Sequence, residues 1–74
     1  MELTAAIEIV RSEYVVPEGQ TADPGEVAWE VRAALTPEEL DAWEIAPDII
    51  EAYRTVLVAT EEEVIRALDD INTA

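Results

Sequence analysis

Two helix starts stand back to back between Asp23 and Trp43, and they leave the middle of this chain few alternatives to short helices. The stretch reads Asp-Pro-Gly-Glu-Val-Ala-Trp-Glu-Val-Arg-Ala-Ala-Leu, then Thr-Pro-Glu-Glu-Leu-Asp-Ala-Trp. Asp23 and Thr36 are residue types whose side-chain oxygens accept the free N–H groups of a first helical turn. Each precedes a proline, whose fixed φ suits the first helical position and whose missing N–H is not needed there. Glu26 and Glu39 stand three residues after the caps, where a carboxylate completes a capping box. Thr60 and Glu63 repeat the spacing without the proline.

Around these starts the apolar residues recur at helical spacing. A first helix is expected from Glu2 to Tyr14, with Leu3, Ile7, Val10 and Tyr14 on one face, Ala6 beside them and Ile9 on the flank. Val15, Val16 and Pro17 end it, because proline disfavours α geometry in the residue before it. Val15-Val16 could form a short extended piece, which would have nothing to pair with except a second copy of the chain. Glu18 to Ala22 reads as a loop. The second helix runs from the Asp23 cap to about Leu35 and turns Val27, Ala28, Val31, Ala34 and Leu35 to one side. Trp29 points nearly the opposite way, between Glu26, Arg32 and Ala33. The third helix is short, from Thr36 to Trp43 or Glu44, with Leu40 and Trp43 as its apolar pair. The fourth opens at Pro47 and carries Ile49, Ile50, Tyr53, Val56 and Leu57, with Ala52 alongside and Val58 off the stripe. The fifth follows Thr60 and buries Val64, Leu68 and Ile71, with Ile65 and Ala67 at the edges. Glu8–Arg11 and Glu51–Arg54 are expected as i,i+3 ion pairs, each a matter of tenths of a kcal/mol. The reading is all-α, a compact bundle of about five short helices in a single acidic domain spanning residues 1–74.

Eighteen acids against four arginines and no lysine give a formal net charge of −14. Such imbalance accompanies disorder when apolar residues are scarce, but half of this chain is hydrophobic. Phosphate binding needs clustered Lys and Arg, so direct contact with nucleic acid or an anionic membrane is not expected. A protein partner, particularly a basic one, fits the field of the chain better. No apolar run approaches the roughly 20 residues of a membrane span, and no basic region with an apolar core opens the chain, so no signal peptide is expected. The absence of cysteine favours a reducing compartment, and a cytoplasmic location is expected. Residue usage poor in Lys, Phe and Asn points to a GC-rich coding sequence.

Little chemistry is available. Without His or Cys there is no imidazole, thiolate or disulfide. Paired carboxylates run acid–base work only in a concave site that splits their pKa values, and each acid here has a simpler place as cap, dipole partner or solvated face. The chain has no Ca²⁺-loop spacing of acids. No catalytic residue, metal site or cofactor is therefore assigned. In size, charge and helical content the chain resembles an acyl carrier protein. That family carries its prosthetic arm on a serine in an Asp-Ser-Leu motif, whereas the only serine here is Ser12 in Arg-Ser-Glu-Tyr, and the assignment fails.

Trp29 and Trp43 remain as candidates for recognition, since tryptophan is enriched in binding hot spots. Trp43 pairs with Leu40 and is expected in the core. Trp29 has three readings: cover for the back of its helix, a cation–π partner of Arg32 one turn on, or an exposed anchor. The partner-binding set is Trp29, Arg32, Ile9, Val58, Glu26 and Glu30. The leading expectation is a non-enzymatic protein-binding module, a phage-encoded or accessory regulator or inhibitor of a host protein. A second is a nucleic-acid mimic, because the chain resembles in size and charge the small phage inhibitors of restriction, CRISPR or repair enzymes. A third is a small self-associating phage assembly protein, a homodimer completing a marginal core. A chain of this length buries only about 60% of the surface it exposes when unfolded.

Overall fold

Helices begin at Pro24, Pro37, Pro47 and Glu61, each directly after one of the proline or capping signals in the sequence. The computed structural model describes residues 1–21 and 23–73. Its order is α1 (Leu3–Glu13), α2 (Pro24–Ala34), α3 (Pro37–Leu40), α4 (Pro47–Val58) and α5 (Glu61–Thr73), with no strand among the described residues. The fold is an all-α bundle with a radius of gyration of 11.6 Å, close to the roughly 11 Å of a compact chain of this length.

The helix termini show which capping signals act. Asp23 Oδ2 accepts the N–H groups of Gly25 (3.0 Å) and Glu26 (3.3 Å). Glu26 does not close the box: its carboxylate accepts the Thr21 hydroxyl at 2.8 Å and holds the preceding loop instead. At Thr60 the box is reciprocal. The Thr60 N–H donates to Glu63 Oε1 (2.9 Å), and the Glu63 N–H donates to Thr60 Oγ1 (3.2 Å). Those bonds favour the carboxylate form, so the Glu63 pKa is lowered, the backbone N–H of Thr60 being the larger cause. The box expected at Thr36 does not form. Its hydroxyl donates to Glu39 Oε1 at 3.3 Å, and the backbone closes through tight i→i+3 bonds from Glu39 to Trp43. A single turn of helix bonded this way has little need of an α-helical cap.

Between α1 and α2 the chain turns at Pro17–Gln20, where the Gln20 N–H donates to the Pro17 carbonyl at 3.1 Å. Gly19 supplies the φ of +90° that the third residue of such a turn requires. Tyr14 is extended, with ψ 131°. Val16 packs on the core beyond it, while Val15 stands 87% exposed. That alternation is a single extended strap, and no described residue pairs with it as a strand. Ala22, the last residue of the loop read from sequence, lies outside the described residues, as does Ala74.

One cluster forms the core. α1 contributes Ala6, Ile7 and Val10, α2 contributes Val27, Ala28 and Val31, and Leu40, Ala52, Tyr53, Val56, Val64 and Ala67 complete it. α1 is the hub: it packs most extensively on α4 and also touches α2 and α5. Trp43 stands edge-on to Tyr53, with ring centroids 5.1 Å apart and planes at 72°. Its expected place against the core holds, although it is only partly buried.

Three further expectations need correction. On α2, Ala34 is exposed, since the helix ends there and the backbone turns away at Leu35, with ψ 154°. On α5, Ala67 is buried whereas Ile65 is 59% exposed, and Leu68 and Ile71 are only half-buried. The small Ala67 shares a hollow with Leu3 and Thr4 of α1, so α5 turns its short side chain toward the hub. Finally, Arg54 does not pair with Glu51. Its Nη2 reaches Asp41 Oδ1 at 2.9 Å, tying α4 to the end of α3.

Asp23→Ala is expected to cost about 1 kcal/mol in urea unfolding, and Thr36→Ala only a few tenths, because only Asp23 caps its helix. Burial of Tyr53 raises its pKa above the usual 10.0, and Glu13 and Tyr14 add to the rise. The folded state thus holds the phenol proton more tightly than the unfolded chain. Stability should fall as pH rises beyond about 10, and comparison of wild type with Tyr53→Phe in pH-dependent melting should show that part of the fall missing from the variant.

Candidate contact surface around Trp29

α4 has no basic residue in its last turn, and its final carbonyls have no partners of their own within the helix. Arg32 of α2 fills that need. Its Nη1 donates to the carbonyl oxygens of Val56 (2.7 Å) and Ala59 (2.5 Å). A cation placed there also meets the negative end of the α4 dipole. The same guanidinium lies over the Trp29 ring, with Cζ 5.5 Å from the centroid. Trp29 is therefore held from one side by a group that is itself fixed at the end of another helix, and it remains 38% exposed.

Glu26 and Trp29 are neighbours one turn apart on α2, as are Trp29 and Arg32. Glu26 is exposed, and Glu30 is half-buried beside Trp29 in the chain. Val58, 63% exposed, belongs to the segment whose carbonyls Arg32 binds. The fold thus brings Trp29, Arg32, Glu26, Glu30 and the α4 terminus carrying Val58 to one region. Ile9 is elsewhere. It packs partly against the core and lines an open hollow of about 370 Å³ with Glu8, Ser12, Glu13, Asp48 and Ile49. Ile49 lies in the first turn of α4, while Val56 is seven residues on, about 10 Å along the helix at 1.5 Å per residue.

The spacing of Trp29 and Arg32 announces their stacking. The bonds from Arg32 to the α4 terminus have no local signal, since they join residues 24 and 27 positions apart. The expected partner-binding set leaves out Val15 and Ile65, which are 87% and 59% exposed. Val15 was readable as the outward residue of an extended pair before Pro17. Ile65 was not, because its exposure follows from the rotation of α5 toward α1.

The remaining arginines are engaged as well. Arg11 pairs with Glu8 at 3.1 Å and Arg66 with Glu62 at 3.3 Å, in addition to Arg54 with Asp41. Of the eighteen acids, Glu8, Asp41 and Glu62 are those that meet an arginine among the described residues. No group of three or more Asp or Glu is arranged to hold a metal ion among the described residues, and no helix there is long and apolar enough to cross a membrane.

Arg32→Met should destabilise the chain by about 2 kcal/mol, the range for hydrogen bonds from a charged group. Arg66→Met, in an exposed pair, should cost well under 1 kcal/mol. Both remove one positive charge, so their difference in urea unfolding reports the bonds to α4 together with the stack on Trp29. Compared with known proteins, the chain matches no family model, no curated relative and no solved structure.

Proposed function

We propose that this chain is a small, acidic, non-enzymatic protein-binding module that acts in the cytoplasm as a regulator or inhibitor of its partner, with Trp29 as the anchor of its contact surface. The observation that carries this reading is the fixed, part-exposed ring. An aromatic side chain already ordered in the free protein loses little entropy when a partner covers it. Arg32 provides that order, through its bonds to Val56 and Ala59. The surrounding acidity would steer a basic partner toward the ring.

A second reading, mimicry of nucleic acid, is favoured by a different observation. All four arginines are engaged within the fold, so most carboxylates face solvent without a cation. Such a surface would occupy a basic DNA- or RNA-binding cleft through charge spread over several helices, with no special role for Trp29. Self-association has less support, because identical surfaces of this charge repel.

The two readings separate in one affinity-capture experiment using wild type and Trp29→Ala at low and high salt. Under the first, a partner is captured by wild type and lost by at least about tenfold in Trp29→Ala, as for a hot-spot residue, while helicity by circular dichroism is unchanged. Under the second, capture is insensitive to Trp29→Ala, is displaced by duplex DNA and collapses in high salt. Loss of helicity in Trp29→Ala would make the ring a structural element and overturn the first reading.

A further inference from the structure

Trp29 has one side occupied by Arg32, whose Cζ lies 5.5 Å from the ring centroid, and 38% of the residue's surface is exposed. An indole face carries negative electrostatic potential and attracts a cation. Two carboxylates flank it in the chain: Glu26 one turn before and Glu30 one residue after. Among the described residues the Glu26 carboxylate accepts the Thr21 hydroxyl, and neither acid meets an arginine there. An aromatic face beside two such carboxylates is complementary to a cationic side chain with an apolar stem.

A second copy of the chain is a poor source of that group. It has no lysine. Its arginines are committed to Glu8, the α4 carbonyls, Asp41 and Glu62. A second copy also carries the same net charge of −14, and surfaces of like charge repel. We infer that the uncovered part of Trp29 receives an arginine or lysine side chain from a basic segment of a different protein, with Glu26 and Glu30 beside the incoming charge. Arginine suits the position better, because its planar guanidinium stacks on the ring while its N–H groups reach a carboxylate. The inference rests on the protein-binding reading of Trp29 and adds the chemistry of what binds there.

The test uses Trp43→Phe, which leaves Trp29 as the sole tryptophan, after circular dichroism has verified its helicity. An Arg-Ala-Arg-Ala-Arg peptide amide, its lysine counterpart and a glutamine counterpart are titrated while Trp29 emission is recorded. The arginine peptide should perturb the emission most, the lysine peptide less and the glutamine peptide not at all. By isothermal titration in the wild-type background, Trp29→Leu and the double variant Glu26→Gln/Glu30→Gln should each weaken the arginine peptide by about three- to tenfold, in keeping with a part-exposed cation–π contact. Trp29→Phe should recover part of the loss. If Trp29→Leu does not fold, the glutamine double variant, which keeps the ring, carries the test.

Equal binding of the arginine peptide to wild type and to the folded variants would mean attraction by net charge alone and would overturn the inference. So would equal response to the glutamine peptide. A protein partner lost on Trp29→Ala yet not displaced by the arginine peptide would also overturn it, while leaving the protein-binding reading intact. Displacement by the arginine peptide but not by the glutamine peptide supports both.

Discussion

Ala6, Ile7 and Val10 of α1 lose essentially all contact with water, and Ala52, Tyr53 and Val56 of α4 do the same. The α1–α4 pair is the most extensive helix contact in the chain, and the other helices are placed by it. α2 and α5 touch both α1 and each other, and α3 reaches the bundle through α4. The alanines explain why this pair forms the centre. Ala6 and Ala52 are fully buried beside the larger Ile7 and Val56, and short side chains in a helix contact let the two backbones approach. A chain with net charge −14 needs such a core, because repulsion among its carboxylates opposes every compaction step.

The arginines show how scarce positive charge is used. Arg11 and Arg66 make local helical pairs, which contribute little at an exposed surface. Arg32 and Arg54 join separate helices: Arg32 holds the end of α4 to α2, and Arg54 holds α4 to the end of α3. Both therefore stabilise tertiary arrangement more than any single helix. Arg32 has the further consequence of ordering Trp29 at the surface. A residue expected in the binding set is thus first a structural one, and whatever Trp29 contributes to recognition depends on it.

The sequence by itself determined the five helices and most of their inward faces. Prolines and caps act locally, through the φ of one residue or the N–H groups of one turn, so Pro24, Pro37, Pro47 and the Thr60–Glu63 box are legible without tertiary information. The same holds for the Trp29–Arg32 stack, since residues one turn apart on a helix are neighbours in any fold that keeps the helix. Only the tertiary structure decided which competing partner each side chain takes. Glu26 turned to Thr21, Arg54 to Asp41 and Arg32 to the α4 carbonyls. It also decided the rotation of α5, which exposes Ile65 and buries Ala67, and it separated Ile9 from Trp29. Apart from the Glu26–Thr21 bond, which depends on the path of the loop before α2, these outcomes depend on distances between helices, and helical periodicity defines a face without saying what that face will meet.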